Sequence, residues 1–147
     1  MQTIALVACV AQKHQQPRAA QALYLSPWFR KARAYLEQED IQWYILSAQY
    51  GLVSREQVIE PYERTLNTMP AKERQVWSEQ VLQQMHAVVP APMQIRCFAG
   101  QCYRQYLRPL LEQAGYQIEV PLEHLGIGQQ LAWFGSQMEG VHREGHR

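Results

Sequence analysis

The chain has 147 residues, 47% of them hydrophobic, and its 14 Lys and Arg against 13 Asp and Glu give a formal net charge of +1 at pH 7. That length suits a single domain with a core of its own, so no metal or disulfide staple is needed to explain folding. Near-neutrality excludes a whole-molecule field that draws nucleic acid or anionic membrane, and leaves local basic faces as the electrostatic route to such partners.

Three cysteines, Cys9, Cys97 and Cys102, make an odd count, and residues 4–10 form too short an apolar run for a secretory signal. A reduced, cytoplasmic setting is the expectation. No stretch approaches the roughly 20 apolar residues that cross a bilayer, so no membrane partner is expected.

Residues 4–10 are continuously apolar, as in a strand covered on both faces of a parallel sheet. Ser26 followed by Pro27 reads as an N-cap and first helical position, and Trp28, Ala32, Tyr35 and Leu36 give helical spacing over 27–39. A second buried strand is predicted at 43–47, within the stretch Ile45-Leu46-Ser47-Ala48-Gln49-Tyr50-Gly51-Leu52-Val53. The chain then reads as a long loop to Asn67, with a short helix over 54–58. Pro70 opens a helix with Trp77, Val81, Leu82 and Met85 as its apolar stripe. A third strand is predicted at 93–99, a helix carrying Tyr106, Leu107, Leu110 and Leu111 up to Gly115, a fourth strand at 117–120, and a last helix over 129–138.

Alternation of strand and helix predicts the α/β class, as a three-layer α/β/α sandwich around a four-stranded, mostly parallel sheet. The domain is expected over residues 1–138, with a polar tail at 139–147. The loops after the strands then share one rim, which gathers residues 9–13, 47–67, 100–104 and 123–130.

On that rim, Glu60 beside Pro61 and Tyr62 is the carboxylate best suited to acid or base work; the alternative is a solvated loop acid. Tyr50 and Tyr62 offer rings that stack on a base, or else close the core. Gly100-Gln101-Cys102-Tyr103-Arg104 is a strand-to-helix junction whose N–H groups, with Arg104, suit a phosphate; an ordinary tight turn is the other reading. Gln129 and Gln130 carry amides able to read a base edge, and His124 is a candidate proton donor. Lys13, Arg18, Arg30, Lys31 and Arg33 cluster early in the chain, forming a phosphate-binding patch or a solvated helix face. The cysteines lack metal spacing, and Gly126-Ile127-Gly128 lacks the dinucleotide fingerprint. Neither metal nor cofactor is expected.

Taken together, Leu6-Val7-Ala8-Cys9 with Lys13, Tyr24-Leu25-Ser26-Pro27-Trp28-Phe29, the stretch 45–52, Glu60-Pro61-Tyr62, Ala99-Gly100 with Tyr103, and Pro121-Leu122 with Gly126-Ile127-Gly128-Gln129-Gln130-Leu131 resemble a bacterial family of uncharacterised small proteins. That family is distantly similar to the uracil-DNA glycosylase-like superfamily. The resemblance implies a four-stranded parallel sheet between helices, an acid-Pro-Tyr element beside a base pocket, and a late histidine loop that assists the leaving base. Glu60-Pro61-Tyr62 follows the second strand instead of the first, and His124 lacks the His-Pro-Ser pattern. The expected function is base handling on DNA or a nucleotide, by hydrolysis of an N-glycosidic bond. In it Glu60 and His124 are catalytic, Tyr50, Tyr62, Asn67, Gln101 and Gln130 bind the substrate, and Lys13, Arg30 and Arg104 bind phosphate. The alternative is a non-catalytic nucleotide or nucleic-acid binding module in stress response or phage defence.

Overall fold

The computed structural model describes residues 2–8, 13 and 15–145, with side chains to residue 138. The elements are β1 (Thr3–Ala8), β2 (Arg18–Ala19), α1 (Ala20–Leu23), α2 (Pro27–Glu39), β3 (Gln42–Ser47), β4 (Gly51–Ser54) and β5 (Val58–Ile59). After a short 3-10 turn (Leu66–Thr68) come α3 (Ala71–Val88), β6 (Met93–Phe98), α4 (Gln101–Gln113), β7 (Tyr116–Glu119) and α5 (Ile127–Gly145). The α/β class holds. The helix α5 runs on through residues 139–145, which the sequence sets apart as a polar tail. Cys9 lies outside the described residues.

The central sheet has the order β4-β3-β1-β6-β7, five strands where the sequence predicts four. β3, β1, β6 and β7 run parallel, and β4 pairs antiparallel with β3. The extra strand lies inside the predicted long loop, and the predicted helix over 54–58 is absent among these described residues. The reason is a tight reversal after β3. Ser47 Oγ accepts from the N–H groups of Gln49 (3.2 Å) and Tyr50 (3.0 Å), and Gly51 takes a φ of +75°, so the chain doubles back with Ile45 opposite Val53. Such a left-handed turn is open to glycine without a Cβ penalty. A second, two-stranded sheet joins β2 to β5.

Alternate residues of β1 enter separate cores, as a doubly covered strand requires. Ile4, Leu6 and Ala8 pack in one cluster with Trp77, Val81 and Met85 of α3 and Leu107 and Leu111 of α4. Ala5 and Val7 pack in the other with Phe29, Tyr35 and Leu36 of α2 and Phe134 of α5. So α2 and α5 pack against one face of the strand, and α3 and α4 against the other.

Gln84 of α3 locks the hairpin, accepting from the Leu52 N–H (2.8 Å) and donating to the Tyr50 carbonyl (3.2 Å). A Cβ on Gly51 would lie 2.3 Å from Gln84 Oε1. Gly51→Ala therefore combines backbone strain with loss of that bond, and urea unfolding should show a destabilisation of about 1–3 kcal/mol.

Candidate functional site

The connection from β1 leads towards β3, whereas β6 leads on to β7 on the opposite side, so the direction of winding reverses between the neighbouring strands β1 and β6. The helices that follow them, α2 and α4, pack on opposite faces and diverge, which opens a crevice beyond the carboxyl ends of the strands. A cavity of about 610 Å³ occupies that crevice. Ala8 and Phe98 line it from the strand ends, and Trp28 from the first turn of α2. Leu122 and Leu125 of the β7–α5 loop, with Ile127 and Leu131 of α5, form the remaining apolar wall.

The polar part comes from helix starts. Gly100 is the N-cap of α4 and supplies no side chain to it, so no side chain caps that helix start, where Gly100 and Gln101 line the cavity. Ser26 caps α2 by accepting from the Phe29 N–H at 3.0 Å. At α5, Gln129 Oε1 accepts from the Gly126 N–H at 3.0 Å, the reach-back half of a capping box.

Of the residues singled out in the sequence, Gln101, Arg104, His124 and Gln130 line this cavity. Gln130 is a brace: its Oε1 accepts from Trp28 Nε1 (2.8 Å) and its Nε2 donates to the Leu125 carbonyl (2.9 Å). The indole is only a donor and the carbonyl only an acceptor, which fixes which way the amide points. Arg104 donates from Nε to the Ala99 carbonyl at 2.8 Å, and its guanidinium lies 4.0 Å from Glu123. Glu123 also receives Arg108 at 3.3 Å and has His124 Nε2 at 3.6 Å. His124 is exposed, at a φ of +71°.

A second group lies on the rim by β3. Tyr24 and Tyr62 share a hydroxyl hydrogen bond of 2.7 Å, the Tyr50 ring meets Tyr62 edge-on at 5.9 Å, and the Lys13 ammonium sits 4.4 Å from the Tyr62 ring centre. The predicted Lys13, Tyr50 and Tyr62 are thus together, joined by a tyrosine the sequence reading leaves aside.

Three candidates are elsewhere. Glu60 is exposed, because Ile59 before it is buried and paired with Arg18, and side chains alternate along the extended backbone. Asn67 is exposed in the 3-10 turn, where its N–H bonds Thr65 Oγ1. Arg30 is exposed on α2 beside the buried Phe29. Its neighbour Arg33 is held by Glu37 (2.8 Å) and the Gln21 carbonyl (3.0 Å), so the early cations are not one patch.

Trp28 and Leu122 are the cavity residues that sequence reasoning misses, while Leu125 and, behind the lining, Glu123 lie within the predicted rim without being singled out. Trp28 reads as core from its helical spacing; its place next to the Ser26-Pro27 start, at the rim, is the available signal. Cys97, at the end of β6, is no nucleophile: burial pushes its thiol from the ordinary 9.0 up to about 12, against the lesser pull of Arg104 and Arg108. Among the described residues no group of His, Cys, Asp and Glu is arranged to hold a metal.

A mostly parallel α/β domain with a preformed cavity at its switch point is the class that fold and site define. The chain belongs to a family of unknown function, DUF6884, whose model matches residues 4–136. No curated protein and no solved structure matches the chain.

Removing Gln130 leaves the Trp28 and Leu125 groups unpaired at a half-buried site. Gln130→Met should cost about 1–3 kcal/mol by denaturant unfolding and enlarge the spread of Trp28 positions seen by fluorescence. For Cys97, the folded pKa lies above the unfolded one, so its contribution is complete below about pH 9 and is lost as pH rises towards 12. The wild type should lose stability steeply across that window, and Cys97→Ala should show a shallower decline in the same titration.

Proposed function

We propose that this protein is a base-handling protein of the cytoplasm, built as a three-layer α/β/α domain, which holds a nucleotide unit of DNA or a free nucleotide in the switch-point cavity and hydrolyses its N-glycosidic bond. The cavity carries the reading. Its volume of about 610 Å³ falls within the range of roughly 300–1,000 Å³ usual for small-molecule sites, and apolar walls with a few polar groups at one end suit a planar base attached to a polar sugar phosphate. Trp28 offers aromatic surface to the base, and the start of α4, which no side chain caps, offers N–H groups to an anion. The resemblance to uracil-DNA glycosylase-like proteins supplies the reaction class.

In that reaction the sugar becomes oxocarbenium-like as the base departs, so an anion near the sugar and donors near the base lower the barrier. His124 of the wall loop, which lines the cavity, is in this reading the donor to the leaving base. Tyr62, from the acid-Pro-Tyr element, serves the rim with Lys13, while the exposed Glu60 does not face the cavity.

One observation favours a second reading, a non-catalytic nucleotide or nucleic-acid binding module. Glu123, the carboxylate of the wall loop, is taken up by Arg104 and Arg108, which offsets the charge a sugar cation would need.

The test is base release, read by mass spectrometry, from genomic DNA, modified-base DNA and a nucleotide panel. Gly100 lines the cavity and a Cβ there meets nothing within 4 Å, so Gly100→Phe adds a ring at the cavity lining, with the fold of the variant checked by circular dichroism. The wild type should release a base, Gly100→Phe should fall at least about tenfold, and Glu60→Gln should stay within about twofold. Binding without release by the wild type would establish the module; release unaffected by Gly100→Phe would remove the cavity from the reaction.

A further inference from the structure

A second cavity, of about 280 Å³, opens beside the end of β3 and the first turns of α3. Its floor is apolar, made by Ala48 and the edge of the buried Trp77, whose Nε1 is spent on the Ser47 carbonyl at 2.9 Å. Its walls are polar: Gln49 and Gln80 supply amides, Lys72 an ammonium, and Arg64 a guanidinium 3.7 Å from Glu73. The side chains of Gln49, Gln80 and Lys72 are exposed and make no hydrogen bond or ion pair among the described residues.

That chemistry matches one ligand class. Amides present a paired donor and acceptor to the edge of a base, two cations against one carboxylate favour a phosphate, and an apolar floor accepts a flat ring. The space is smaller than the switch-point cavity and fits one unit.

The two cavities open on the same rim, since β1, β3 and β6 are parallel and both sites lie beyond their carboxyl ends. The tyrosine group adjoins both linings along the chain. Tyr24 lies two residues before Ser26, which lines the first cavity, and Tyr50 directly follows Gln49, which lines the second. Between them the Tyr24 and Tyr62 rings are 6.5 Å apart and the Tyr62 and Tyr50 rings 5.9 Å, with Lys13 over Tyr62. Tyr62 packs against both hydrophobic clusters, which makes the ridge a rigid one.

We infer that the cavity at Lys72 and Arg64 is a second nucleotide subsite, which takes the unit adjoining the one in the switch-point cavity, with the tyrosine ridge and Lys13 carrying the linkage between them. This rests on the reading of the first cavity as a nucleotide site. The ligand is then a dinucleotide or a longer single strand.

Affinities of 5′-mononucleotides and of 5′-phosphorylated dinucleotides, measured by calorimetry on the full chain, test it. The dinucleotide should bind at least about tenfold more tightly than the mononucleotide, as one further stacked and phosphate-held unit implies. In Lys72→Glu with Arg64→Glu that ratio should fall to near one. Lys72→Arg should restore most of it, which a merely structural role would not. Equal wild-type affinities, or a ratio unchanged by the charge reversal, would overturn the second subsite while the first cavity stands on its mononucleotide binding. No binding of either ligand would overturn both.

Discussion

Burial of β1 on both faces is the constraint from which the architecture follows. Its alternate side chains need separate apolar partners, and they find them in α3 and α4 on one side and in α2 and α5 on the other. With β3 and β6 as its two parallel neighbours, the helices leaving β1 and β6 must then lie on opposite faces. Packed helices cannot follow their strands both ways and still meet above the strand ends. The crevice between α2 and α4 is therefore a product of topology, and a ligand site comes with the fold without a dedicated element to build it.

The stretch 45–53, where β3 turns back into β4, has a different task. Ser47 is fully buried, yet its hydroxyl serves two backbone N–H groups and its carbonyl serves the Trp77 indole. Gln84 then satisfies both a donor and an acceptor of the returning strand. These are bonds that a tight reversal at a buried sheet end must find, since an unpaired backbone group there costs about as much as a lost hydrogen bond. The motif is the support that fixes β4 at the edge of the sheet and holds Tyr50 towards the rim.

β1 and the end of β3 are legible because double burial writes itself as an apolar run, whereas Gln94, Arg96 and Gln117 interrupt β6 and β7; the helices are legible because Ser26-Pro27, Pro70 and Gly115 mark ends. Gly51-Leu52-Val53-Ser54 escaped as a strand: four residues with one glycine carry no period, and its strand character comes from pairing with Ile45 and Leu46. Rim logic reached Gln101, Arg104, His124 and Gln130, since every parallel strand delivers its following loop to one edge. It does not bring Glu60 and Asn67 to the cavity, because a loop residue's facing is set by which neighbour is buried, here Ile59 and Leu66. Sequence spacing does not record that choice.

What holds the wall of the cavity can be decided by magnitude. Glu123 makes ion pairs with Arg104 and Arg108, but its side chain and that of Arg108 are about a third exposed, and exposed pairs contribute roughly 0–1 kcal/mol. Leu122 beside it is buried, and full burial of a leucine side chain is worth about 1.5–3 kcal/mol. Leu125 is tied through its carbonyl to Gln130, which also holds Trp28. The loop is thus fixed chiefly by packing and by one doubly bonded amide, and the ion pairs set its charge more than its position. A wall fixed in this way needs no ordering when a ligand enters, so little of the binding free energy is lost to shaping the site.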